Sequence, residues 1–264
     1  MIVTAHSRNT PQPRSHRRAR KRSSRLLPAA VASLAVLAGC LAVGMATDAE
    51  GDSSGPDPGN EVGAAGDDVP GRSESSVPRS GSGTFTTAEG DGGKVGRGRL
   101  LRYKVEVEKG IGLSAPKVAA EVGAILADKR GWTGDGQWAF RRVSGGTPDF
   151  VVRVATPDTV DKICGGAGLD TGGEVNCRAG VDVVVNLKRW LLATRYYDKD
   201  VPGYRALIIN HEVGHFLGHG HESCPGGGEP APVMMQQIKG LKGCKPNVWP
   251  FTRNGRPITG PPTQ

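Results

Sequence analysis

The stretch His211-Glu212-Val213-Gly214-His215-Phe216-Leu217-Gly218-His219-Gly220-His221 decides how the rest of this chain is read. Four of the six histidines fall inside it. His211 and His215 are four residues apart, so on a helix both imidazoles share one face and aim at a single point. Glu212, next to the first, can reach a water held at that point without being a ligand. Gly218 can adopt backbone conformations that other residues resist, which lets a helix stop and the chain turn. His221 then returns toward the same point from outside the helix. Three neutral imidazoles suit Zn2+, and three protein ligands leave a fourth position open. The pair H-E-x-x-H arises by chance in about one chain per hundred of this length, and the fixed offsets of Gly218 and His221 reduce that by a further factor of several hundred. A solvated His-rich loop is therefore a poor account of the segment. His219 fits no ligand offset and reads as an exposed neighbour.

With these residues in view, the motif H-E-x-x-H-x-x-G-x-x-H resembles that of the metzincin clan of zinc endopeptidases. The clan's longer signature ends in a methionine-containing turn beneath the metal. Ala231-Pro232-Val233-Met234-Met235 follows His221 at the matching distance, and the register favours Met234 as the turn methionine. More closely, residues 94–250 resemble an actinobacterial family of exported, membrane-anchored proteins described as domain of unknown function DUF3152. The likeness is concentrated between Tyr204 and Pro250, in NHEVGH, CPG, APVM and GC-PN-WP. It implies a metallopeptidase-like fold and chemistry and names no substrate. By the same resemblance, residues 181–187 are the edge strand along which an extended peptide would lie. Two departures stand out. Gln236 occupies the place where some metzincins carry a tyrosine near the metal, and no cysteine-containing propeptide motif occurs.

Working outward, residues 100–108 alternate as a strand. Ser114-Ala115-Pro116 opens a helix with Val118, Val122, Ile125 and Leu126 on one face. Residues 137–143, 149–155 and 181–187 read as further strands, and helices are expected near 188–195 and 203–217. From Gly218 onward glycine and proline dominate and loop is expected. The order predicts an α+β, metzincin-like zinc-binding domain: a mixed sheet, an active-site helix and a loop-rich C-terminal lobe.

Five cysteines occur. Cys164, Cys177, Cys224 and Cys244 fall in the folded part, where four cysteines allow three pairings. Short loops favour Cys164–Cys177 and Cys224–Cys244. Zinc binding by the four is the rival reading, and the absence of any C-x-x-C spacing counts against it.

The first 93 residues differ in kind. Residues 1–25 hold eight basic residues and no acid, and form a basic cytoplasmic tail. Residues 26–46 are uncharged and span about 31 Å as helix, roughly a bilayer's hydrocarbon thickness. The flanking charge leaves the tail inside and exports the rest. Three fates stay open: a retained single-pass signal anchor, a cleaved signal peptide giving a secreted protein, or a lipoprotein lipidated at Cys40 within Leu37-Ala38-Gly39-Cys40. Each places residues 94–264 outside the cytoplasm. Residues 47–93, with ten acids against two bases and abundant Gly, Ser and Pro, are expected to be a disordered tether.

The net charge of +8 is therefore three differently charged pieces, +8, −8 and +8 in chain order. This excludes a uniformly basic nucleic-acid-binding domain. It leaves an anionic cell-wall polymer as a partner for the last piece. The expected activity is peptide-bond hydrolysis on a peptide or protein substrate, with zinc on His211, His215 and His221 and Glu212 as general base. The alternative is a non-catalytic, zinc-stabilised envelope-binding module.

Overall fold

A computed structural model describes residues 73–263. The basic tail, the apolar segment 26–46 and Cys40 lie outside the described residues. No helix among the described residues is long and apolar enough to cross a membrane.

The longest strand, β3 (Arg99–Glu108), shows why a sheet forms. Leu101, Tyr103, Val105 and Val107 are buried while Arg102 is exposed and Lys104 and Glu106 are partly covered, a period of two. It pairs in parallel with β4 (Trp138–Arg142) on one side and β5 (Phe150–Ala155) on the other, and β5 pairs in parallel with β7 (Asp182–Asn186). Three short strands add antiparallel borders: β1 (Phe85–Thr87) on β3, β2 (Val95–Gly96) on β4 and β6 (Cys177–Ala179) on β7. The result is a seven-stranded mixed sheet in the order β2-β4-β3-β5-β7-β6, with β1 joined to β3.

Helices cover both faces. On one, α1 (Ala115–Ala127) and α4 (Val201–Phe216) bury their apolar residues against β3, β5 and β7, with α3 (Leu187–Leu192) beside them. Helix α1 starts where expected, capped by Ser114 with Pro116 in its first turn. Asp200 caps α4 by accepting from the Gly203 backbone N–H at 2.9 Å. On the other face α2 (Pro157–Gly165) packs Val160 and Cys164 against Ala155, Val184 and Cys177. The sequence reading had neither α2 nor β6. Both are short, and the Cys164–Cys177 bridge joins them.

Two expectations need correction. The tether expected through residue 93 ends earlier. A 3-10 turn at Glu74–Ser76 and strand β1 fall inside it, and β1 is paired to β3. This glycine-rich chain has little apolar surface of its own, but it borrows order from a buried carboxylate. Glu108 accepts from Gly83 N–H at 2.6 Å, from Thr156 N–H at 2.8 Å and from the hydroxyls of Thr156 and Thr159. Burial alone would raise its pKa, and these donors outweigh burial and hold it below the usual value. Secondly, the run at 181–187 is not an edge. Strand β7 lies between β5 and β6, so β6 is the border strand on that side.

After α4 the chain contains one 3-10 turn, Gln237–Lys239, and isolated β-bridges, as the glycine and proline content led one to expect.

Candidate metal centre

Helix α4 is buried almost all round from Tyr204 to Gly214, so its backbone is fixed by packing rather than by one apolar stripe. Its last two turns carry His211, Glu212 and His215. Leu217 and Gly218 donate back to Val213 and His215, and Gly218 takes φ 97° to turn the chain, as its position implied. The return brings His221 to the helix. The Nε2 atoms of His211 and His215 are 3.2 Å apart and those of His215 and His221 3.1 Å apart, and the three ligand atoms lie within 4.8 Å of one another.

The partners of the other ring nitrogens decide what this cluster is suited to hold. His211 Nδ1 is 2.8 Å from the Val233 carbonyl, and His215 Nδ1 is 2.9 Å from the His219 carbonyl. A carbonyl only accepts, so each Nδ1 carries the proton and each Nε2 presents a lone pair to the centre. Two acceptors facing each other at 3.2 Å repel unless a cation stands between them. Protonation is a poor remedy: burial pushes the His211 imidazole down to about 3, and the neighbouring His215 and His221 push it the same way. Burial also lowers His215 and His221. The donor set, three neutral nitrogens converging on one point, fits a borderline metal ion such as Zn2+.

Glu212 is 5% exposed and faces the same cleft. Burial drives its carboxyl up to about 8, and the Arg178 guanidinium opposes this. The cleft has a volume of about 330 Å³ and is walled by α4, the segment from Leu169 through β6, and the segment Met235–Ile238.

Met234 is buried, its sulfur packed on the α4 backbone at Gly214. A side chain at Gly214 would collide with that sulfur and would come within 2.8 Å of Trp132. Trp132 donates its indole N–H to the Asn210 carbonyl at 2.8 Å and stacks on His219 at 4.4 Å between ring centroids. His219 is thus no ligand, but its carbonyl orients one.

The segment after His221 is tied on two sides. Glu222 bridges to Met235 and to Pro262. Ser223 N–H donates to the Pro261 carbonyl at 2.8 Å, and Thr263 N–H donates to the His221 carbonyl at 2.9 Å. Cys224 and Cys244 form a disulfide, as do Cys164 and Cys177, so both short-loop pairings are present and the four thiols are not gathered as a metal site. The three histidines converge, Glu212 faces the same cleft, and Met234 packs on the same helix at Gly214. The sequence reading missed Arg178, the carbonyls of Val233 and His219, and the strap at 260–263. A backbone carbonyl carries no residue signature, and nothing in Gly-Pro-Pro-Thr announces that it fastens a ligand.

Comparison with known proteins gives one match, to a family model described as a protein of unknown function, DUF3152, over residues 72–247. No curated protein and no solved structure matches the chain. The matched span covers about two thirds of the chain and begins where the described fold begins, and the chain belongs to the DUF3152 family.

Proposed function

We propose that this domain is an extracytoplasmic, metzincin-like zinc peptidase. The observation that carries the reading is the convergence of three imidazole nitrogens, two of them turned lone pair inward by backbone carbonyls, beside a buried carboxyl in an open cleft. A zinc ion held by His211, His215 and His221 would act as a Lewis acid, lowering the pKa of a bound water toward ~7 and polarising the scissile carbonyl. Glu212 takes a proton from the attacking water as its oxygen bonds to the carbonyl carbon. It then delivers that proton to the amine nitrogen as the C–N bond breaks. Burial raises the carboxyl's proton affinity in the metal-free protein, and a cation held by the histidines would oppose that rise, leaving the group able to accept the proton and then release it. Val233 and His219 hold the imidazoles in the ligating tautomer, and Met234 supports the helix beneath them. The free side of β6 offers backbone groups to an extended peptide as an added strand. Gln236 leaves no phenol at the place where some metzincins carry a tyrosine. Two disulfides fit an oxidising compartment, in keeping with export through the apolar segment 26–46. An anionic wall polymer remains a proposed partner for the basic domain.

The test uses the full-length protein. Metal analysis is expected to find one zinc per chain, and a peptide library is expected to be cleaved. Glu212→Ala should retain zinc and lose activity by about a thousandfold. Full activity in that variant would remove Glu212 as the base. A zinc-loaded protein that cleaves nothing in the library would favour the envelope-binding module instead.

A further inference from the structure

Strand β6 has only three residues, of which Cys177 and Arg178 both line the cleft, and its disulfide determines which way their side chains point. Cys177 is bridged to Cys164 of α2, and it packs with Val184 on the α2 face of the sheet. Side chains alternate along a strand, so Arg178 must leave from the opposite face. The register agrees: Arg178 is paired with Val183, which belongs to the core under α4. Arg178 accordingly lines the cleft together with Glu212 and His215, and its charge acts on both of them.

Nearby cations are occupied. Arg153 pairs with Glu106 and Asp182, and Lys188 and Arg189 pair with Glu174. Arg178 makes no ion pair among the described residues. Its one hydrogen bond there is a 3.4 Å contact with the Gly180 carbonyl, two residues away. Among the residues that line the cleft it is the one arginine or lysine. The carboxylate on the rim, Asp170, accepts from the Gly172 N–H at 3.0 Å. Much of the remaining wall is apolar or neutral, from Leu207, Ile208, Met235, Gln236 and Ile238. Arg178 is exposed, and its guanidinium presents a planar fork of donors that matches a carboxylate bidentately.

We propose that Arg178 makes this cleft selective for a substrate carboxylate close to the scissile bond. The inference rests on the peptidase reading and names its substrate class: peptides bearing Asp or Glu, or a free terminal carboxylate, near the cleaved position. Both sources present the same group to the guanidinium. Arg178 acts on substrate binding and leaves the metal and Glu212 in place.

The experiment compares the full-length protein with Arg178→Gln and Arg178→Lys on peptides matched in pairs. One series exchanges Glu for Gln at each position, and the other exchanges a free C-terminal carboxylate for an amide. Cleavage is followed as kcat/KM. Binding of the same peptides is measured separately on zinc-loaded Glu212→Gln protein, with and without Arg178→Gln. Wild type is expected to favour one carboxylate peptide over its neutral twin by about tenfold or more, the order expected for a charge-assisted pair. Arg178→Gln should abolish the preference, read as the ratio between twins, because any effect of the lost charge on Glu212 falls on both twins alike, and Arg178→Lys should restore part of it. Zinc content and melting temperature should not move. The series that shows the preference identifies a side-chain or a terminal carboxylate. Equal cleavage of twins by wild type, or a preference that survives Arg178→Gln, overturns the proposal and leaves the peptidase reading standing. A carboxylate preference in binding without any cleavage retains Arg178 as the selector and removes the peptidase. Neither binding nor cleavage removes both.

Discussion

The two halves of the candidate metal centre are built by different means. His211 and His215 sit on a sixteen-residue helix whose geometry is set within five residues of sequence. His221 sits in irregular chain and is held by ties to distant partners: the Met235 and Pro262 bridges, the Thr263 N–H and the Cys224–Cys244 disulfide. The helical half is positioned by local rules and the looped half by long-range fastening. They should therefore fail in different ways.

The largest difference should appear when the metal is removed. Metal-free, Glu212 in the helical half keeps its proton up to about pH 8, whereas the unfolded chain releases it near 4.5. Between these values the unfolded chain binds fewer protons, so stability falls as pH rises from 4.5 to 8. In urea unfolding of metal-free protein, Glu212→Gln should match wild type near pH 4.5 and exceed it by several kcal/mol at pH 8. A pH-independent difference would show that the carboxyl is not buried at a cost.

Opening the loop should come next. Replacing Cys224 and Cys244 by serine releases a closure with sequence separation 20 and should cost about 3 kcal/mol. Zinc affinity, read by chelator competition, should fall with it. Serines at Cys164 and Cys177 should cost a similar stability and leave zinc affinity nearly unchanged, since that bridge fastens β6 and not a ligand. If both double variants lose zinc equally, the looped half has no private fastening.

The third prediction probes the seam between the halves. Gly214→Ala sets a methyl against Met234 and Trp132 and should cost about 2 kcal/mol by overpacking. In a Met234→Ala background the same change should cost much less, and thermal unfolding of all four proteins closes the cycle. Additive costs would mean that Met234 does not seat on the helix.

The smallest expected effect is at the strap. Ending the chain after Thr259 removes the Pro261 and Thr263 contacts and should weaken zinc binding by about tenfold, while α4 keeps its amide protection in hydrogen exchange. Unchanged affinity would make the strap ornamental to the site.

These contrasts also explain what the sequence disclosed. The helix pattern at 203–217, the strands at 100–108, 149–155 and 181–187, and the cluster of three histidines with Glu212 could be read because each rests on short-range spacing. The place of β7 within the sheet could not, because a three-residue border strand carries no period and owes its position to a disulfide. The order of residues 73–93 was hidden for a related reason. Composition reports what a segment can bury by itself, and this one is held by Glu108 and by pairing with β3. Arg178 gave no signal because its role depends on which way a neighbouring cysteine points.

The strap has a consequence in time. A chain is made from its N-terminus, so residues 260–263 appear after every element they fasten. Sheet, helices and the first two ligands can be in place while His221 still lacks the Thr263 tie. The third corner of the triad is thus the last to be secured as the protein is born, and a chain still in synthesis carries its histidine cluster unfinished.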